Sequence, residues 1–303
     1  MYLKPLNLLS LSSLLLVVFI TASCNKDEDP NARTNSEMKA IDTFLETLVG
    51  DEPIFYDKSG MRIVIHQIGD NQTPMTGQKV KFNYALKLFP TGDVVESGTM
   101  ENLLEKMPTE GLRYSLTAML GRSMATFYIP SKYGYGETGT NLIPPNSILI
   151  YEILSPIEVI KTTAEQTQFN ADTTTIRQYI NAPANNIKNA IKLSSGVWYT
   201  IDAVGTGKYP TPYDYITFQF KGTIMSNNSV FQEGALPNLG ESISPFGLIE
   251  GLKIGLPRMQ EGGSATFYIP SGLAYGTATR TGIPANANLI FKIQLNSVTP
   301  FFP

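Results

Sequence analysis

The side chains of this chain that could do chemistry are mainly aromatic and apolar, because the usual charged motifs are missing. No Gly-x-Ser-x-Gly, His-Glu-x-x-His or Cys-x-x-Cys pattern occurs, and His66 is the only histidine. A metal centre or an activated nucleophile needs several such groups at suitable spacing. His66 lies in a strand-like stretch without a second ligand type nearby, so we interpret it as a structural residue. The sequence therefore predicts no metal and no catalytic nucleophile.

One glycine-rich stretch imitates a dinucleotide-binding motif. Residues 134–139, GYGETG, fit the pattern Gly-x-Gly-x-x-Gly, which requires a strand before it and a helix after it. Pro144 and Pro145 follow within a few residues and leave no room for a helix to begin. We interpret the stretch as a loop and predict no cofactor.

An aromatic phrase occurs twice and indicates a duplicated domain. ATFYIPSKYGYG at 125–136 returns as ATFYIPSGLAYG at 265–276, with Tyr135 and Tyr275 before a glycine in each copy. Apolar and polar residues alternate before each phrase, as they do in strands with one buried face, and we assign Phe82 and Phe218 there to the core. A proline turn and another apolar stretch follow each phrase. Repeated order of this length predicts two copies of one mainly antiparallel β fold.

Short helices are predicted around these strands. Residues 41–49 have apolar side chains at helical spacing, and Ile176, Tyr179 and Ile180 repeat the start of that pattern. A second apolar stripe, in residues 112–120, predicts a short helix before the first phrase. Each copy is therefore expected to carry a leading helix and one helix packed on its sheet.

The N-terminus has the pattern of an export signal. Lys4 precedes an apolar run from Leu8 to Ile20, which is shorter than the about 20 residues of a membrane span. Thr-Ala-Ser-Cys follows, and small residues before Cys24 resemble a bacterial lipoprotein signal, in which that cysteine is acylated. An ordinary signal peptide with an incidental cysteine is the alternative. The acidic run Asp27-Glu28-Asp29 after the cysteine resembles the surface-export signals of some Gram-negative lipoproteins. On that basis we predict an outer-membrane lipoprotein that faces the cell surface or the periplasm.

The net charge and the cysteine content exclude a nucleic-acid-binding face and an internal disulfide. The formal net charge is −3, which gives no basic face for nucleic acid. Cys24 is the only cysteine, so the mature chain forms no internal disulfide.

The domains are predicted as follows: signal peptide 1–23, flexible tether 24–36, leader helix 37–57, first domain 58–160, linker with a short helix 161–191, and second domain 192–303.

The order of these residues resembles the FKBP-type peptidyl-prolyl cis-trans isomerases, and it does so in both 58–160 and 192–303. That order is a Ser-Gly strand, an aromatic strand, a short helix, the phrase with its Tyr-Gly, and an Ile-Pro turn before an apolar strand. The resemblance implies an α+β fold in which each domain is an antiparallel five-stranded sheet wrapped around a short helix. A substrate proline would occupy an apolar pocket between sheet and helix.

The resemblance also assigns pocket residues, one by one. In the second copy these are Phe220, Phe231, Ile249, Leu252, Tyr275, Ile283 and Phe291. In the first copy they are Tyr84, Glu96, Tyr135, Ile143 and Tyr151. Leu252 replaces the tryptophan usual at the pocket floor, and Gln232 replaces an aspartate after Phe231. The first copy departs more, with Val95 in place of the pocket phenylalanine and Leu112 in place of the floor tryptophan.

The function implied is isomerisation of X-Pro bonds in exported, proline-containing polypeptides, by desolvation in an aromatic pocket. The departures leave two alternatives, a non-catalytic peptide- or protein-binding module and a purely architectural surface lipoprotein. Because the second copy keeps the larger apolar wall, we expect it to be the better isomerase.

Overall fold

The chain forms two successive β-sheet units, each preceded by a helix. The computed structural model describes residues 31–299, except positions 49, 51, 212–213 and 237–247. The predicted signal peptide, Cys24 and most of the predicted tether lie outside the described residues.

The first unit contains two helices and seven strands. They are α1 (Ala32–Leu48), β1 (Ile54–Tyr56), β2 (Arg62–Gln67), β3 (Lys79–Leu88), β4 (Asp93–Leu103), α2 (Glu110–Thr117), β5 (Met124–Ile129), β6 (Leu149–Ile153) and β7 (Glu158–Ile160). The sheet order is β1-β2-β5-β6-β3-β4, and β7 pairs with β3.

The second unit repeats this plan. Its elements are α3 (Thr163–Asn181), β8 (Ile191–Lys192), β9 (Trp198–Ala203), β10 (Tyr215–Ile224), β11 (Val230–Leu236), α4 (Glu250–Gly255), β12 (Ser264–Ile269) and β13 (Leu289–Thr299). The sheet order is β11-β10-β13-β12-β9-β8.

The two sheets share five antiparallel strands in the same order, which confirms the predicted fold class. The single strand β13 corresponds to β6 and β7 of the first unit. Strand β13 pairs with β10, and both β6 and β7 pair with β3. Each sheet also gains a short edge strand, β1 or β8, which the sequence did not predict. These edge strands have only three and two residues, so they offer little unpaired backbone for association with another chain.

The concave face of each sheet holds the main core, with the short helix packed on it. Phe82 and Phe218 are buried as predicted, and Leu112 of α2 is fully buried in the first core. Thr109 begins α2 by accepting a hydrogen bond from Leu112 N at 3.2 Å, a normal N-cap. In the second unit, Gly251 of α4 lies so close to Ile269 that a Cβ would meet its methyl carbon at 2.3 Å.

The leading helices cover the opposite faces of the two sheets. Helix α1 packs Ile41 and Leu45 against the first sheet, and α3 packs Ile176 and Ile180 against the second. Residues 161–191 are predicted above to be a linker with a short helix. Instead α3 has 19 residues and belongs to the second unit through its buried face. Its low apolar content reflects a narrow contact stripe rather than a lack of packing.

Each leading helix also ties down the turn that follows the aromatic phrase. Asp172 of α3 accepts hydrogen bonds from Ser271 N at 3.0 Å and Ser271 Oγ at 2.6 Å, and it is 3% exposed. Glu37 of α1 receives the same pair from Ser131, at 2.7 and 2.6 Å. A buried carboxylate thus holds the Ser-x-x turn in both units.

We expect Asp172→Ala to lower the free energy of unfolding by about 2–3 kcal/mol, because it leaves buried donors on Ser271 without their charged acceptor. Urea denaturation followed by circular dichroism measures the change. Asn170→Ala is the matched control, because Asn170 lies on the exposed side of α3. Equal losses for the two variants would contradict a specific role for the Asp172 carboxylate.

Candidate functional site

The second unit has a continuous wall of three aromatic rings on neighbouring strands. Phe291 of β13 lies between Phe231 of β11 and Phe220 of β10 in ring contact. The Phe231 and Phe291 ring centroids are 5.6 Å apart at 76°, an edge-to-face contact, and the Phe220 and Phe291 centroids are 6.2 Å apart. Such contacts fix ring orientation in addition to burying apolar surface. The structure therefore brings together three of the four aromatic residues that the resemblance assigned in the second copy.

The other assigned residues of the second copy join the same apolar cluster. Leu252 of α4 is 4% exposed and Ile283 is 5% exposed, whereas Ile249 and Tyr275 are half-buried. Ile249 is the N-cap residue of α4, and Tyr275 follows β12 in the turn anchored by Asp172. The Arg280 guanidinium carbon lies 5.7 Å from the centroid of the Tyr275 ring. Aromatic wall, helix and loops thus contribute to one site.

Gly222 is a site residue that sequence reasoning missed. It lies on β10 opposite Phe291, and a Cβ there would come within 2.4 Å of the Phe231 ring. The absence of a side chain at Gly222 therefore gives Phe231 its place on the wall. A signal was available, since a glycine at an inward position of an alternating strand often marks close approach of another group.

At the positions equivalent to Gly222 and Phe231, the first unit has the large and the small side chain exchanged. Leu86 pairs with Tyr151 and Glu96 on β3, as Gly222 pairs with Phe291 and Gln232 on β10. Leu86 is 1% exposed, and the neighbouring strand supplies a half-buried Val95 where the second unit has Phe231. The leucine takes volume that a phenylalanine ring would need. The first unit therefore lacks one third of the aromatic wall.

The remaining aromatic positions of the first unit carry hydroxyl groups. The ring centroids of Tyr84 and Tyr151 are 5.9 Å apart, and the Tyr84 hydroxyl donates a short hydrogen bond to Glu96. The Tyr151 hydroxyl interacts with the side chains of Tyr135 and Thr109. Tyrosine, carboxylate and threonine therefore make this site polar where the second is apolar.

Burial and these contacts change the acidity of the tyrosines. Burial, followed by the hydrogen bond to Glu96, raises the pKa of Tyr84 far above its usual range. Burial, with Tyr135 as a second cause, does the same to the pKa of Tyr151. Both hydroxyls stay protonated at any physiological pH and act as hydrogen-bond donors. Ile143 is buried beside them, and Leu112 forms part of the core below.

The raised pKa of Tyr84 predicts a loss of stability in alkali. In the unfolded chain a tyrosine ionises near pH 10, whereas Tyr84 in the folded chain ionises only at higher pH. The free energy of unfolding therefore falls as the pH rises between these two pKa values. Tyr84→Phe should therefore reduce the loss of unfolding free energy between about pH 8.5 and about pH 11. Urea titrations at both values measure it. Tyr209→Phe, at a residue 58% exposed, should change nothing; an equal response of both variants would oppose the assignment.

Metal ligands do not converge anywhere in the described ranges, where no group of three His, Cys, Asp or Glu side chains could hold an ion. His66 lies on β2 as predicted, with Nε2 2.8 Å from Thr126 Oγ1 and Nδ1 3.0 Å from Glu52 Oε1. Its contacts are those of a structural side chain at a sheet surface.

The first unit also contacts the helix that carries the second site. Glu250 of α4 accepts a hydrogen bond from Thr73 N at 2.8 Å, and its other oxygen lies 2.5 Å from Lys253 Nζ. Leu120 of the first unit is buried in the second core. Nothing in the sequence distinguished Glu250 from an exposed helix-start acid, because its partner lies 177 positions away.

Among the described residues, none of the helices is both long and apolar enough to cross a membrane.

The sequence model of the family described as FKBP-type peptidyl-prolyl cis-trans isomerase matches residues 70–154 and 207–296, more than half of the chain. The FKBP-type peptidyl-prolyl cis-trans isomerase FkpA of Escherichia coli (strain K12) is 33% identical over 107 residues, which cover 35% of this chain and 39% of that protein.

Two other relatives have similar identity. The probable FkpA of Neisseria meningitidis serogroup B is 37% identical over 116 residues, 37% of this chain and 41% of the relative. The peptidyl-prolyl cis-trans isomerase Mip of Coxiella burnetii is 33% identical over 117 residues, 38% of this chain and 50% of the relative. The chain spans half or less of the length of each of these relatives.

Two solved structures are similar to parts of this chain. The crystal structure of FkpA from Escherichia coli is 27% identical, with a TM-score of 0.36, and the match covers 46% of this chain and 66% of that one. The structure of the three FKBP domains of wheat FKBP73 is 18% identical, with a TM-score of 0.32, over 80% of this chain and 96% of that one.

Proposed function

Because the chain belongs to the FKBP-type peptidyl-prolyl cis-trans isomerase family, we propose that it catalyses the cis–trans isomerisation of X-Pro bonds in polypeptides, with the second domain as the main catalytic unit. The observation that carries this proposal is the three-ring wall of Phe220, Phe291 and Phe231 around one apolar site. The matched family segments include parts of both domains, but only the second keeps the full wall.

The reaction needs no charged group. Rotation about a peptide bond meets a barrier of about 18–20 kcal/mol because the planar amide is stabilised by resonance. At the twisted geometry that resonance is lost, and the carbonyl oxygen carries less negative charge. It then needs the hydrogen bonds of water less than the planar form does. A dry pocket therefore favours the twisted amide over the planar one, which is the condition for lowering the barrier.

The energy required is within reach of such a pocket. Uncatalysed X-Pro bonds isomerise in tens of seconds or more. Because each 1.36 kcal/mol changes a rate tenfold, about 4–6 kcal/mol of preferential stabilisation brings this time to milliseconds. Exclusion of water by the aromatic wall and the buried Leu252 is the proposed source.

Residue roles follow from position in the site. Phe231, Phe291 and Phe220 form the wall around the proline ring, and Leu252 forms the floor. The half-buried Tyr275, on the rim, offers its hydroxyl to the carbonyl of the substrate. Ile249 and Ile283 close the site from the helix and loop sides.

A second role, as a binding module without catalysis, is favoured for the first domain by its own geometry. Leu86 displaces the third ring, and Tyr84, Glu96 and Tyr151 put polar groups where the second domain is apolar. A polar site holds water and fixed hydrogen bonds, so it discriminates less between planar and twisted amides. We therefore infer that the first domain binds polypeptide and contributes little to turnover.

For location, we propose that the protein is exported and held by lipid on Cys24, so that its substrates are polypeptides that fold outside the cytoplasm. The residues before Cys24 and the apolar run from Leu8 to Ile20 support this proposal.

A protease-coupled assay tests the catalytic proposal. The chain from residue 24, with Cys24→Ala to keep it soluble, is mixed with short peptides that contain one X-Pro bond. A rate of trans conversion that rises linearly with protein concentration is the expected result. A folded protein that leaves the rate at its uncatalysed value would instead identify both domains as binding modules.

A further inference from the structure

A cleft of about 460 Å³ lies at the junction of the two domains, apart from both aromatic sites. Its walls come from the segment after β2, from the N-terminal half of α3, and from the turn after β12. Cavities of about 300–1,000 Å³ are the usual size of ligand sites, and domain junctions are a frequent place for them.

The wall contains the amide of a largely buried glutamine. Gln72 is 7% exposed and lines the cleft, and among the described residues no group hydrogen-bonds to its side chain. Its backbone groups are engaged, since Gln72 O accepts from Gly121 N at 3.0 Å. The amide atoms keep contact with solvent in the cleft, since they are not among the fully buried side-chain atoms that lack a partner in the described residues. They can therefore hydrogen-bond a ligand that enters the cleft. A carboxamide both donates and accepts, as a peptide group does.

Apolar side chains lie beside this amide. Met75 is 48% exposed although it lines the cleft, and Phe169 and Leu273 form the neighbouring surface. Methionine adapts to ligands of different shape because it is unbranched and polarizable. The cleft therefore offers an apolar contact next to a hydrogen-bonding group.

The charges around the cleft do not call for an ionic ligand. Glu165 accepts from Thr162 N at 2.7 Å as part of a capping box, and Asp172 is held by Ser271 and Gln168. The Lys161 ammonium lies 4.9 Å from the centroid of the Phe169 ring. Both carboxylates are thus occupied, and the Lys161 ammonium, which lines the cleft and interacts electrostatically with Glu165, is the donor left for a peptide carbonyl.

We propose that this cleft binds an extended, uncharged stretch of polypeptide with an apolar side chain, as a site separate from the prolyl pocket. The Gln72 amide pairs with a peptide group of the ligand, Lys161 donates to a peptide carbonyl, and Met75 and Phe169 receive the side chain. The inference rests on the proposed function only in taking polypeptide as the ligand. A second contact of this kind would hold a substrate near Tyr275, because the turn of residues 270–277 contributes to both sites.

Gly272 is a position at which a larger side chain can obstruct the cleft while the fold is kept. Gly272 lines it, and a Cβ at this glycine would meet nothing within 4 Å. Lys132 stands at the same place in the first copy of the phrase and is exposed. A lysine is therefore compatible with this turn, and Gly272→Lys places a long, positively charged side chain at the wall of the cleft in a folded protein.

The test is fluorescence anisotropy with a proline-free, N-acetylated and C-amidated hexapeptide of alanine, leucine and glutamine that carries a fluorophore. The protein is the chain from residue 24 with Cys24→Ala. Gly272→Lys should abolish binding, and Gln72→Leu should weaken it about tenfold. Lys132→Gly, the mirror change in the first domain, and Phe231→Ala should leave it unchanged. Thermal unfolding checks that each variant is folded.

Three results would overturn the proposal. The first is no binding of this peptide by the unmutated protein, and the second is full binding by a folded Gly272→Lys variant. The third is loss of binding with Phe231→Ala, which would place the peptide in the prolyl pocket. Because the readout is binding of a proline-free peptide, none of these results depends on isomerase activity, and an inactive protein could still bind in the cleft.

Discussion

Phe231→Ala is expected to lower the isomerase activity of the whole protein roughly ten- to hundredfold. Full burial of a phenylalanine side chain contributes about 1.5–3 kcal/mol, and each 1.36 kcal/mol is a factor of ten in rate. Phe231 is one of three rings in the wall, and its loss admits water to the site through the side formed by β11. The loss should appear in kcat/KM for short X-Pro peptides.

The first domain supplies the matched control. Val95→Ala removes the side chain that stands in place of Phe231, and we expect it to change the rate little, because the site there is already polar and incomplete. Tyr275→Phe should likewise lower activity more than Tyr135→Phe or Tyr84→Phe. If the second-domain variants keep full activity and Tyr135→Phe loses it, catalysis belongs to the first domain.

Gly222→Leu separates loss of the wall from loss of folding. The change reproduces Leu86 of the first domain, and the added side chain meets the Phe231 ring, which has to leave its place. Activity should fall as it does for Phe231→Ala, although every aromatic residue is still present. Circular dichroism has to show that both variants are folded, because Phe231 also contacts the buried Phe291.

Much of this fold could be predicted because the duplication provides two independent samples of one pattern. Alternating strands such as β3 and β10 show their period of two directly, and Phe82 and Phe218 lie inward in both. The residues assigned to the second site also come together, because each belongs to a segment whose order is repeated. Local pattern and repetition were sufficient for this part.

Contacts that depend on distant partners could not be predicted. Asp172 lies in a polar, threonine-rich stretch typical of a linker, and only the tertiary fold places Ser271 against it. Glu250 is similar, since its partner Thr73 belongs to the other domain. The exchange of Leu86 for Gly222 was visible in the sequence, but its meaning depends on which residue of the neighbouring strand lies opposite.

Cys24→Ala is expected to move the protein almost completely from the membrane fraction to the soluble fraction. Each buried CH₂ of an acyl chain contributes about 0.8 kcal/mol, and more than one chain is needed for stable attachment. A lipoprotein cysteine carries several chains, and Cys24 is the only cysteine available to carry them. Cell fractionation followed by immunoblotting measures the distribution, and metabolic labelling with a fatty acid shows whether the chain is acylated.

Replacing the acidic run Asp27-Glu28-Asp29 by alanines is the matched control, because it changes the same segment and keeps the cysteine. This variant should stay with the membrane. The run resembles the surface-export signals of some Gram-negative lipoproteins, so its loss should protect the protein from protease added to intact cells, while the unmutated protein is digested. Membrane retention of Cys24→Ala, without fatty-acid label on the unmutated chain, would identify residues 1–23 as an ordinary signal peptide and the cysteine as incidental. Attachment would then have to come from the folded domains.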